Sequence, residues 1–337
     1  VDPTRVAVNF GAGMISCDMA ELAPSVALSV SDGEFDVHKW GRDGLESITP
    51  IWLLKYLPNM LACHVGIIHD IQGPSNTITC AEASAALAFG EAAQVVSRGA
   101  ADVALAGGAE AKVLPVLMVR QVLLGRANTS GAEPPDQACR PFDADAHGAV
   151  FGEAGGVLVL ENLDHARQRK AKIFAEVAGI GQSHSIAASY ERLEPDGEAI
   201  RIAIENALED AEIGPEDLDL IIPHGTGVPH DDRAEARGIE AALGTATANV
   251  PVWPTKSMLS VTGAASGVLD LIAAGKAIST GTIPAATNFQ KPIDGCHLHI
   301  VTEPVQCEIG YALCCCYTYG GQTAAVVLKH LDEGASQ

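Results

Sequence analysis

Aromatic residues make up only 4% of this 337-residue chain, although 47% of it is hydrophobic. A core short of rings and rich in alanine, valine and glycine calls for closely approaching elements in one large or two medium domains. Basic residues are also scarce: 21 Lys and Arg stand against 42 Asp and Glu, a formal charge of -21. Such a surface repels nucleic acid and anionic lipid, so an acidic partner can dock only on a local basic patch. No apolar run reaches the roughly 18 residues of a membrane-spanning helix, and "VDPTRVAVNF" carries no basic signal region. A cytoplasmic address is the resulting expectation. The chain has no CxxC and no HExxH, so no metal is expected. Its nine cysteines, three of them adjacent at Cys314, Cys315 and Cys316, are expected to be reduced core thiols, because neighbours on a strand face opposite ways. "FGAGMIS" (10–16) lacks the third glycine and acidic partner of a dinucleotide loop and reads as a strand-end turn. No cofactor is expected.

Strand-like runs at 5–10, 102–108, 156–161, 173–180, 218–225, 298–301 and 324–330 alternate with helical segments, an α/β pattern with buried strands. One helix is predicted after Pro195, with Asp196 as N-cap, Ile200, Ile204, Leu208 and Ala211 on one face, and a stop at Gly214-Pro215. Another is predicted from about residue 82 to Arg98. "ADVALAGGAEA" (101–111) and "LDLIIPHGTG" (218–227) echo each other as acid, strand and glycine turn. The echo suggests two similar units, 1–161 and 162–337, joined near "NLDHARQRKAK" (162–172).

"ITCAEASAAL", Ile78 to Leu87, runs from a β-like segment into an alanine-rich helix, the kind of turn that presents a reactive group at a helix N-terminus. Together with "GPSNTITCAEASAALAFGEA" (73–92), "RPFDADAHGAVFGEAGGVLVLE" (140–161), "HGTGVPHDDRAE" (224–235), "TKSM" (255–258) and "YGGQTAAVVL" (319–328), it resembles the β-ketoacyl-acyl carrier protein synthases. The resemblance covers most of the chain. It implies a thiolase-like α/β fold, two similar halves stacked as five layers α-β-α-β-α, normally dimeric, here with the first strand and helix of the first half missing.

That family uses a cysteine nucleophile at a strand-to-helix elbow, two histidines and an oxyanion hole of backbone amides. The nucleophile falls seven residues after the serine of "GPS" and eight before the helix glycine, and both counts, from Ser75 and from Gly90, arrive at Glu82. Cys80 lies two residues earlier, in the strand. A carboxylate is comfortable at a helix N-terminus, but its attack on a thioester gives only a labile mixed anhydride. His224 matches the first histidine, and Lys256 matches the lysine that precedes the second. The second histidine itself should fall at Val261 or, with a gap, at Ser260. Lys256 and Glu235 are expected to form a buried structural ion pair, and His224, with Lys256, to neutralise Glu82. Tyr319 matches the aromatic whose backbone amide joins that of Glu82 at the oxyanion hole, and Tyr317 the gate aromatic. His147 reads as a loop residue, and His230 as the better candidate for a replacement second histidine.

Three functions remain open on these residues. A non-condensing, chain-length-factor-like subunit would pair with a cysteine-bearing ketosynthase and engage acyl carrier protein and its acyl thioester. A malonyl-acyl carrier protein decarboxylase would serve priming, with Glu82 near-isosteric with the glutamine of such relatives or acting as general base. An active 3-oxoacyl synthase would require Cys80 as nucleophile. Homodimer and heterodimer stay open alike.

Overall fold

The computed structural model describes residues 1–185 and 192–331. In the first half, β1 (Val6–Ala12) is followed by α1 (Met19–Leu28), the short β2 (Val30–Ser31) and β3 (Glu34–Phe35), α2 (Val37–Lys39) and α3 (Met60–Ile68). Then come β4 (Ser75–Ile78), α4 (Ser84–Ser97), β5 (Val103–Ala111), α5 (Pro115–Leu123), β6 (Glu153–Glu161) and α6 (Leu163–Gln168). The second half holds β7 (Glu176–His184), α7 (Glu198–Asp210), β8 (Leu220–Ile222), α8 (Pro229–Leu243), β9 (Pro251–Val252), α9 (Lys256–Leu259) and α10 (Ser266–Thr280). It ends with β10 (Thr282–Ile283), β11 (His299–Ile300), β12 (Val305–Gln306), β13 (Tyr311–Tyr317) and β14 (Gln322–Lys329).

Two sheets dominate. The first has the order β4-β1-β5-β6, the second β11-β9-β8-β13-β14-β7. In the first, β1 runs parallel to β4 and β5, and β6 antiparallel to β5. In the second, β8 runs parallel to β9 and β13, and β14 antiparallel to β13. The internal repeat is therefore real, but its correspondence differs from the sequence echo: β8 occupies the place of β1, and the counterpart of β5 is β13. The echo misled because acid, strand and glycine turn describe any parallel strand leaving a helix. The second sheet carries one further strand, β7, on the outer side of β14.

Helices α4 and α10 lie between the sheets, α4 against β1 and β5, α10 against β13. They pack so closely that a Cβ on Gly267 would come within 2.9 Å of Ala86. Small side chains permit this, and the inner core is built from Ala92, Ala104, Ala106, Ala274 and Ala312 with Phe89, Leu220, Ile222 and Leu271. That is the close approach implied by the scarcity of aromatics. Outside the second sheet, α7 presents Ile200, Ile204 and Leu208 to β7 and β14, with α8 alongside. Outside the first, α3 sets Ala62 and Val65 on Val8 and Phe10. The stack is five layers, α-β-α-β-α.

The N-cap of α7 is Gly197 at φ 66°, not Asp196. Glycine is required there because a Cβ would lie 2.1 Å from the Ala234 carbonyl of α8. Residues 311–317, rich in cysteine, form a central strand: Cys314 faces the inner core and Cys315 the outer one. Among the described residues no helix is long and apolar enough to cross a membrane.

Candidate functional site

The elbow begins where β4 ends at Ile78. Cys80 has a non-helical backbone, and Ala81 follows at φ 45°, a left-handed conformation uncommon for a residue with a Cβ. A single 3-10 turn, Ala81–Ala83, then leads into α4. Ser84 holds the turn: its Oγ accepts from the Cys80 N–H at 2.8 Å and donates to the Ala81 carbonyl at 2.6 Å. Glu82 sits inside this turn with 4% of its surface exposed. The Cys316 thiol donates to its backbone carbonyl from β13 at 3.0 Å.

The Glu82 carboxylate is met by Lys112, which leaves the end of β5. Lys112 Nζ donates to Glu82 Oε1 at 2.6 Å and lies 3.8 Å from Glu110 Oε2. Glu110 is held in turn by the Ala264 N–H, which donates to Oε2 at 2.7 Å. Close by, the guanidinium of Arg126 pairs with Asp231 and lies 4.5 Å over the ring of Tyr319. Burial alone would raise the Glu82 carboxyl, but the charges of Lys112 and Arg126 and the Lys112 hydrogen bond hold it down to about 2. Burial pulls the Lys112 ammonium the other way, and the charges of Glu82 and Glu110 outweigh it and raise it. The seat of the elbow therefore holds a closed ion pair at neutral pH.

The histidine side is arranged differently from expectation. His224 is buried, and its backbone N–H and that of Gly225 donate to Glu235 at 2.6 and 2.7 Å. Glu235 thus caps backbone donors, and the salt bridge of Lys256 is with Asp270 on α10. Glu235 and Lys256 were expected to pair. The helix α10, whose aspartate projects inward, supplies the nearer acid. Burial and the charge of Asp232 push the Glu235 carboxyl up to about 8, against the two amide donors and Lys256. Burial, then the charge of Lys256, depresses the His224 imidazole well below its ordinary value, so it is neutral. Its ring stands edge-on to Tyr317 at 4.7 Å, and Nδ1 lies 3.6 Å from Cys316 Sγ. The hydrogen-bonded cation on Glu82 is thus Lys112, and the expected contact from His224 or Lys256 is replaced by it.

Val261 is buried and apolar, and Ser260 turns at φ 62°. Tyr317 is buried against His224, and Tyr319 accepts a hydrogen bond from Arg120 at 3.2 Å. His147 is largely exposed and lies 3.3 Å from Glu133, away from the elbow. His230 opens α8 beside Asp231 at 3.3 Å and is half-buried. Burial alone raises the Cys80 thiol, with no cation to counter it, so this cysteine is not activated.

Two cavities adjoin the elbow. A small one, about 30 Å³, is walled by Glu82, Lys112, Glu110, Gln121, Arg120 and Tyr319 with Met14, Ala81 and Leu117. A groove of about 700 Å³ shares Met14 and Glu110 with it and is lined mainly by apolar residues, among them Leu57, Met60, Leu61, Val65 and Ile68. Sequence reasoning missed Lys112, Arg126 and Gln121. The available signal was the carboxylate itself: a buried acid requires a buried cation, and three basic residues, Lys112, Arg120 and Arg126, follow the β5 strand within fifteen positions. Among the described residues no cluster of three or more side chains is arranged to hold a metal.

Comparison with known proteins gives concordant results. Residues 4–166 match the β-ketoacyl synthase N-terminal domain and residues 174–290 the C-terminal domain. A 3-oxoacyl-[acyl-carrier-protein] synthase 2 from Coxiella burnetii is 32% identical over 319 residues, covering 92% of this chain and 77% of that protein. A putative polyketide β-ketoacyl synthase from Streptomyces halstedii is 32% identical over 277 residues, 81% of this chain and 64% of that one. Among solved structures, the ishigamide ketosynthase/chain length factor superposes with a TM-score of 0.81 at 28% identity, over 97% of this chain and 76% of its own. A type II polyketide acyl-carrier protein in complex with its ketosynthase gives a TM-score of 0.86 at 25% identity, over 98% and 79%.

Proposed function

This chain belongs to the β-ketoacyl synthase family, and within it we propose that the chain is a non-condensing subunit, chain-length-factor-like, that pairs with a cysteine-bearing ketosynthase. One observation carries the reading: Glu82, which the counts from Ser75 and Gly90 put at the nucleophile's position, is buried at the strand-to-helix elbow and salt-bridged to Lys112 at 2.6 Å. A carboxyl held at about 2 is a feeble nucleophile and a feeble base at neutral pH, and its attack on a thioester yields an anhydride that reverts or hydrolyses. Condensation also needs two histidines at the thioester carbonyl, and the second position offers only Val261 or Ser260. In this reading Glu82, His224, Lys256 and Glu235 maintain the shape of the former catalytic centre, and Tyr317 and Tyr319 its gate and oxyanion side.

The groove beside the plug supports a partner role. It is large, apolar and open beside a closed seat, and Leu53, Leu54, Leu61, Ile67 and Ile68 are all exposed in the same segment. Such a surface suits a ketosynthase whose growing chain runs along the joint face, with acyl carrier protein delivering the thioester to the partner's cysteine. Low basicity at Glu82 and the lack of a second donor weigh against the priming decarboxylase, and the unactivated Cys80 thiol weighs against an active synthase.

The test is co-purification with a ketosynthase encoded beside this chain, followed by polyketide assay of the pair. Association and a product length altered by substitution of Leu57 or Leu61 are expected. A ketosynthase that neither associates nor changes its product would refute the reading.

A further inference from the structure

The seat contains buried hydrogen-bonding capacity that the protein itself does not satisfy. Glu82 Oε2 and Gln121 Oε1 have no protein partner, although both residues are 4% exposed. Both residues wall the cavity of about 30 Å³, and so does Lys112. The Lys112 ammonium carries three N–H donors. One goes to Glu82 Oε1 at 2.6 Å, and Glu110 Oε2 at 3.8 Å is beyond hydrogen-bonding distance. Two unmatched acceptors and two spare donors thus belong to three residues that wall the same small space.

The chemistry of the wall restricts the occupant. An anion would be set against the free carboxylate oxygen and the amide oxygen. A cation would be set against Lys112 and Arg120. Two acceptors and the spare Lys112 donors suit a neutral molecule with two hydrogens to give and lone pairs to receive, and a polar cavity above about 10–15 Å³ accommodates a water. We propose that this cavity is a binding site for one water molecule, which donates to Glu82 Oε2 and Gln121 Oε1 and accepts from Lys112 Nζ.

Gln121 then becomes a positioning residue. From α5 it fixes, through the water, the face of the carboxylate that Lys112 does not reach. Both oxygens of Glu82 are engaged, which deepens its preference for the ionised form and ties α5 to the elbow. The site follows from the walls of the cavity and does not depend on whether the chain pairs with a ketosynthase.

A high-resolution crystal structure of the chain is expected to show one ordered water within hydrogen-bonding distance of Glu82 Oε2 and Gln121 Oε1. A dry cavity, or a direct protein partner on either atom, would overturn the proposal. Water-oxygen magnetic relaxation dispersion supplies a second readout in solution. The folded Gln121→Leu variant is expected to have one fewer long-lived water than the wild type, and Gln121→Glu to retain it. An equal count in wild type and Gln121→Leu would contradict the assignment. If Gln121→Leu does not fold, the crystallographic result on the unaltered chain decides alone.

Discussion

The two halves share four strands in the same order and directions, yet they are finished differently. In the second half β14 is covered along its outer edge by β7 and on its outer face by α7, and Val326 and Val327 are buried to within 1%. In the first half β6 is the edge of its sheet, and Val157 and Val159, facing outward, are 52% and 57% exposed. Particular buried acids also differ in their partners. Glu235 and Asp232 of the second half accept from backbone amides and so brace the loop that carries His224. Glu82 and Lys112 of the first half bond to each other across the elbow. One topology thus holds acids that brace a loop in one half and an ion pair at the elbow in the other.

The sharpest break of that comparison removes a cation. Lys256→Ala leaves Asp270 buried without its partner and is expected to cost about 3–5 kcal/mol in urea unfolding. Lys112→Ala exposes the same weakness at the plug. The double variant Glu82→Gln with Lys112→Met, which removes both charges, is expected to return to within about 1 kcal/mol of wild type or exceed it. If the double variant were as unstable as Lys112→Ala, the plug would be bracing the fold as the second half's charges do.

A smaller effect separates the two sheets. Val327→Thr buries a hydroxyl and is expected to cost about 1–3 kcal/mol, whereas Val159→Thr on the open face should stay within about 0.5 kcal/mol. Equal costs would mean that the face of β6 is covered in solution.

The pH dependence distinguishes the halves by sign. Glu235, raised to about 8, favours the protonated folded form. Its contribution is complete below the unfolded value near 4.5 and is lost as pH rises through about 8. Glu82, lowered to about 2, contributes above the unfolded value and loses that contribution as pH falls from 4.5 through 2. Urea midpoints across pH are therefore expected to lose their decline between pH 5 and 8 in Glu235→Gln, and part of their acid limb in Glu82→Gln. Unchanged profiles in both variants would contradict these placements.

The fold was legible because the motifs keep their order along the chain and because strand and helix periods are strong where they are buried. The strand-to-helix turn that carries Glu82 was legible too, from the β-like run that passes into an alanine-rich helix. The side chains around Glu82 were not. Lys112 at the end of β5 meets Glu82 through the third dimension, as Arg126 in the loop after α5 acts on it by charge and Gln121 on α5 shares its cavity, and no spacing from Glu82 announces them. The pairing of Lys256 was misjudged for the same reason: Asp270 is fourteen residues further on but directly opposite once α10 packs against β13. The N-cap of α7 was misplaced because the reason for Gly197 lies on α8, at the Ala234 carbonyl.

The central claim, that the elbow no longer performs acyl chemistry, is tested most directly by intact mass spectrometry after incubation with malonyl- and acyl-loaded acyl carrier protein. The account predicts an unmodified chain and no carbon dioxide release. A stable acyl adduct on Cys80, or carbon dioxide release abolished by Glu82→Ala, would contradict it.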